Sequence, residues 1–175
     1  IEQAAQLAQL ARGRARIVVL VVDADDALIS AIDKGVNPDL FQAHGSETPE
    51  RIAAIKALTG KPVIKAIPVK DAADVARAAP YAGIADLILY DSKAPETLCG
   101  ALPGGNGLAF DWTLLGSGEA AGFMLAGGLN PGNVAEAIRV TGAPIVDVSS
   151  GVESAPGVKD PGLIRKFIEA AKRAG

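Results

Sequence analysis

The 175 residues are 49% apolar and 21% charged, enough to bury one sizeable core, and they predict a single domain over residues 1–175. A formal net charge of −3 offers no basic face for nucleic acid, and one cysteine, Cys99, with one histidine, His44, excludes a disulfide framework and a clustered metal site. No apolar run reaches the roughly 18 residues of a membrane span, and Ile1-Glu2-Gln3-Ala4 lacks the features of a signal peptide, so a cytoplasmic protein without membrane contact is expected.

Along the chain, short apolar runs rich in β-branched residues alternate with Ala-rich amphipathic segments, and the junctions carry Gly, Pro or Asp. Ile1 to Ala11 reads as a helix already under way, with no capping residue before it. A strand over Ala15 to Val22 leads into a helix over Ala24 to Lys34, where Asp23, Asp25 and Asp26 read as a solvated helix start. A strand over Pro38 to Ala43 precedes a helix over Pro49 to Thr59, and Thr48-Pro49 sets a capping hydroxyl before proline. Then come a strand over Pro62 to Ile67, a helix over Asp71 to Ala79, a strand over Ala85 to Tyr90 and a helical turn over Trp112 to Leu115. The chain closes with a strand over Gly122 to Ala126, a helix over Pro131 to Val140, a strand over Pro144 to Val148 and a helix over Pro161 to Arg173. Asn130-Pro131 and Asp160-Pro161 repeat the cap-then-proline start.

Strands apolar on both faces, alternating with helices, predict an α/β fold with a parallel sheet, doubly wound or closed into a barrel. Periodicity does not separate the two. The polar residues do: His44, Asp91, Asp111, Asn130, Asp147 and Ser149 follow the C-terminal ends of strands, which in a barrel share one rim. The expectation is a (β/α)8 TIM barrel of which this chain supplies about six of the eight strands. An uncapped opening inside a helix fits a further N-terminal βαβ portion on the order of 40 residues.

Three segments carry candidate chemistry. Ala126-Gly127-Gly128-Leu129-Asn130 joins a strand to a helix, and its glycines let backbone N–H groups approach an anion. Asp147-Val148-Ser149-Ser150-Gly151 follows the last strand with two hydroxyls and a second Gly-bounded run of amides. Paired loops after the last two strands are where barrels hold phosphate, although each loop alone is also an ordinary tight turn. The third segment, Pro103-Gly104-Gly105-Asn106-Gly107 through Asp111-Trp112, delivers one carboxylate beside an aromatic ring. Partial desolvation there would raise the pKa of Asp111 and suit it to general acid work, while from local sequence alone Asp111 reads first as a simple helix N-cap before Trp112. Lys65 shares a strand face with Val63 and Ile67 and is expected to neutralise a carboxylate such as Asp91 or Asp147, or to meet a substrate anion. His44, on the face of Gln42, reads either as a satisfied structural histidine or as a substrate contact. Lys159-Asp160 reads as a loop and a helix cap.

PVIKAI, LPGGNGLAFDW, LAGGLNPGNVAEAI and VDVSSGVESAPGVKD, in this order, closely resemble the phosphoribosylanthranilate isomerase family over nearly the whole chain. The resemblance implies the Amadori rearrangement of N-(5′-phosphoribosyl)anthranilate in tryptophan biosynthesis, without a cofactor or metal, in a monomer rather than a dimer. It implies Asp111 as the acid, His44 and Asp147 as substrate-binding residues, and Gly105, Gly127, Gly128, Ser149, Ser150 and Gly151 as the phosphate site. The family's base is a cysteine in a KICG-like motif at the end of its first strand, and an arginine after its second strand holds the anthranilate; neither motif is among these 175 residues. Cys99, in a Gly/Pro-rich connection, does not match that position, and an unassisted thiol is mostly protonated at neutral pH. Two alternatives stand beside this one: a noncatalytic phosphate-binding barrel fragment, and another phosphate-binding barrel isomerase or epimerase, whose metal ligands or internal repeat this sequence lacks.

Overall fold

The computed structural model describes residues 1–92, 109–116 and 122–174. They fall into two compact units, Ile1–Ala66 with Ala79–Leu87, and Ile67–Ala78 with Ile88–Gly175.

The first unit holds α1 (Glu2–Ala11), β1 (Val18–Val21), α2 (Asp26–Val36), β2 (Leu40–Ala43), α3 (Pro49–Thr59) and the first half of β3 (Val63–Val69). β1 pairs with β2 and β2 with β3, both in parallel, with Val21 beside Ala43 and Ala43 beside Lys65. Ile29, Ile32 and Val36 of α2 and Ile52 and Ile55 of α3 close over Val21, Phe41 and Val63, so the apolar stripe at helical spacing buries against the strands. α3 has the predicted bounds: Thr48 Oγ1 accepts from the Arg51 amide, Pro49 follows the cap, and Gly60 ends the helix with φ of 68°. The three aspartates before α2 have separate duties. Asp25 accepts from the Leu28 amide as the N-cap, Asp26 pairs with Arg51, and Asp23, at φ of 48°, accepts from the amide and hydroxyl of Ser46. Asp23 thus ties the loop after β1 to the loop after β2 and is not a merely solvated charge.

The second unit holds the end of β3, α4 (Ala72–Ala76), β4 (Leu87–Ser92) from its second residue, β5 (Phe123–Leu125), α5 (Val134–Thr141), β6 (Ile145–Val146), β7 (Glu153–Ala155), β8 (Val158–Lys159) and α6 (Pro161–Lys172). β4, β5 and β6 pair in parallel in chain order, with Tyr90 beside Leu125 and Leu125 beside Val146. Leu89, Leu125, Leu129, Val134, Ala137 and Phe167 are buried, and the rings of Tyr90 and Phe123 meet edge to face at 5.8 Å. Two elements depart from the predicted ones. The helix expected from Pro131 begins at Val134, because Asn130 Oδ1 accepts from the Gly132 amide and turns the chain once more before the helix. Residues 153–159, expected as loop, form the antiparallel hairpin β7–β8 around Pro156-Gly157, which two- and three-residue strands do not announce in sequence. Asp160 caps α6 through the Leu163 amide, as expected.

Candidate active site

In the first unit the polar residues gather at the C-terminal end of β2. His44 follows the last residue of that strand and is partly buried, with Nδ1 3.3 Å from Gln42 Oε1. On either side of it, the carbonyls of Ala43 and Gly45 accept from Lys65 Nζ at 3.4 and 2.7 Å. The same ammonium pairs with Glu47 Oε2 at 2.9 Å, and the side chains of the pair are 3% and 1% exposed. Glu47 in turn accepts from the amides of Asp23 and Gly45, and Tyr81 Oη donates to its carbonyl. Within its own unit Lys65 therefore neutralises Glu47, a carboxylate that its strand face did not suggest. Glu47 is the residue that sequence reasoning missed: nothing in Gly45-Ser46-Glu47 distinguishes a buried acid from any loop carboxylate. The backbone around His44 is thus held from both sides by a desolvated ion pair whose donors and acceptors are all engaged nearby.

In the second unit one cavity is bordered by Asp91, the Ala126-Gly127-Gly128-Leu129 turn and the Asp147 to Gly151 turn. The structure brings together five of the six residues expected to hold phosphate, Gly127, Gly128, Ser149, Ser150 and Gly151, with Asp147 beside them. Gly105, the sixth, and Cys99 lie outside the described residues. The closeness of the two turns depends on missing side chains. A Cβ on Gly151 would collide with the carbonyl of Leu129, and one on Gly127, at φ of 87°, would collide with the backbone and side chain of Ser92. Gly151→Ala is expected to force the turns apart and lower stability by about 1–3 kcal/mol, as overpacking does. A thermal melt coinciding with that of the unsubstituted chain would show that the turns yield without cost.

Asp111 sits apart from that lining. It is exposed and caps the 3-10 turn Trp112–Leu115, its Oδ1 accepting from the Thr113 amide at 3.0 Å and the Thr113 hydroxyl at 2.6 Å. The hydroxyl, and then the amide, hold its carboxyl below the ordinary carboxylate value. This reverses the expectation of a raised pKa: the carboxyl is solvated, and the nearest donors favour its ionised form.

The family model described as N-(5′-phosphoribosyl)anthranilate isomerase matches residues 2–170. The chain belongs to this family. It is 53% identical over 174 residues to the N-(5′-phosphoribosyl)anthranilate isomerase of Sinorhizobium medicae, covering 99% of this chain and 80% of that protein. The solved phosphoribosyl anthranilate isomerase of Thermotoga maritima superposes with a TM-score of 0.85 at 34% identity, covering 98% of this chain and 80% of that one. A second solved family member, in complex with reduced 1-(o-carboxyphenylamino)-1-deoxyribulose 5-phosphate, gives a TM-score of 0.79 at 31% identity, over 98% of this chain and 79% of that one. The fold is the (β/α) barrel of these phosphoribosylanthranilate isomerases, and six parallel strands of it are described here. By family the protein is an isomerase, and its substrate is a phosphorylated small molecule.

Proposed function

We propose that the chain performs the Amadori rearrangement of N-(5′-phosphoribosyl)anthranilate, a step of tryptophan biosynthesis, with the substrate's phosphate in the Gly128/Ser150-Gly151 cavity and Asp111 as the proton donor. The observation that carries this reading is the meeting of the two Gly-bounded turns around one cavity, in a chain matched by the family model over residues 2–170. Main-chain N–H groups of Gly128, Ser150 and Gly151 suit an acceptor-only dianion, and they are fixed by turns that cannot separate without breaking the Gly151 contact. Asp111, protonated, delivers its proton to the ribose ring oxygen, the C1′–O bond breaks, and the ring opens to an iminium. Loss of the C2′ proton then gives the enol that becomes the 1-deoxyribulose. The family resemblance gives that step to a cysteine in a KICG-like motif, which is not among these 175 residues. Asp147 meets the sugar hydroxyls or the opened chain. A monomer in a cytoplasmic setting suits this reading; among the described residues no helix is long and apolar enough to cross a membrane.

The pH dependence of turnover tests the acid. Thr113 stabilises the ionised carboxylate, so Thr113→Ala raises the Asp111 pKa toward its ordinary value and keeps the proton on Asp111 to higher pH. In a plot of kcat/KM for consumption of phosphoribosylanthranilate, the limb that falls with rising pH moves upward. A limb that stays in place, or moves down, assigns the proton donor elsewhere.

A further inference from the structure

We propose that Lys159 is a positioning residue for phosphate recognition, holding Ser149 so that its hydroxyl proton is available to an anion in the cavity; the inference rests on the phosphate reading of that cavity. Lys159 belongs to none of the turns that border it. It stands in β8, opposite Glu153 of β7, and its ammonium reaches back to the turn after β6. There Nζ donates to the Ser149 carbonyl at 2.8 Å, to Ser149 Oγ at 3.3 Å and to Glu153 Oε1 at 2.7 Å. An ammonium has three protons and no acceptor, so these three contacts use its donor capacity, and Lys159 acts on an anion through Ser149.

The consequence lies in the chemistry of the hydroxyl. Ser149 Oγ accepts from a cation, which biases its single O–H to donate elsewhere, and Ser149 borders the cavity. A fully ionised phosphate offers only acceptors. A hydroxyl polarised by an ammonium is a better donor to such an ion than one that is free to rotate between donating and accepting. The bond to the Ser149 carbonyl fixes the first peptide of the turn whose next amides belong to Ser150 and Gly151. Glu153 steadies the ammonium from the other side, and its own carboxyl is held below the ordinary value by Lys159 and by the Gly157 amide.

The test is calorimetric titration of the protein with inorganic phosphate. Lys159→Met is expected to weaken binding about tenfold, Ser149→Ala by a similar factor, and the double variant no further than either alone, since both remove one hydrogen-bonded unit. Lys159→Arg, which keeps a cation and donors, is expected to recover most of the loss. Glu153→Gln breaks the hairpin ion pair but spares both bonds to Ser149, and is expected to bind at least as tightly as the unsubstituted chain. Unchanged affinity in Lys159→Met overturns the proposal, as do fully additive losses, or an equal loss in Glu153→Gln, which would make hairpin integrity the cause. If the unsubstituted protein takes up no phosphate, the phosphate reading itself falls, and that result is visible before any variant is made.

Discussion

Asp111→Asn is expected to remove most turnover, a fall of about 10²–10⁴ in kcat, while affinity for a product analogue stays close to that of the unsubstituted protein. The amide keeps the size of the side chain and an oxygen able to accept from Thr113, so the 3-10 turn it caps has little reason to change. What it loses is the capacity to carry a proton to the ring oxygen. Since the carboxyl is exposed and Thr113 favours its ionised form, the group must take up its proton when substrate arrives. Steady-state kinetics and equilibrium binding on the same preparation decide the matter. A parallel loss in both would make Asp111 a residue that orients substrate and gives it no proton.

Lys65→Met is expected to be the most damaging single change in the first unit, lowering stability by about 3–5 kcal/mol in denaturant melts. Methionine fills the space, but it strands the Glu47 carboxylate at 1% exposure without its cation and leaves the Gly45 carbonyl without its 2.7 Å donor. Glu47→Gln combined with Lys65→Met removes both charges and is expected to be less unstable than Lys65→Met alone, a non-additivity that isolates the buried charge as the cause. If the two variants unfold at the same denaturant concentration, the pair contributes through packing and its charges matter little.

These results also mark where sequence was informative. Six strands and their helices follow from apolar periodicity and from punctuation such as Thr48-Pro49 and Gly60, because both are local properties of the chain. The two Gly-bounded turns were legible for a similar reason: glycine at Gly127 and Gly151 answers a close-approach requirement that no other residue meets. The start of α5 was misplaced because Asn130 has two local uses, as a helix cap or as the acceptor in a turn to Gly132, and only the folded chain shows which one it takes. The pKa direction of Asp111 depended on whether Thr113, two residues on, turned its hydroxyl toward the carboxylate. Glu47 and Lys159 were out of reach for a different reason. Lys65 and Glu47 lie 18 residues apart, and Lys159 meets Ser149 across 10, so each pairing is a tertiary fact with no local pattern to announce it.

The contact between Gly151 and the Leu129 carbonyl bears on how this protein tolerates change over generations. If the anion is held by main-chain amides, then most of what the two turns must encode is the lack of a side chain at Gly127 and Gly151. A saturation library over the two turns would then find Gly127 and Gly151 closed even to alanine, while Val148 accepts many residues. Selection on such a site acts as much by forbidding atoms as by requiring them.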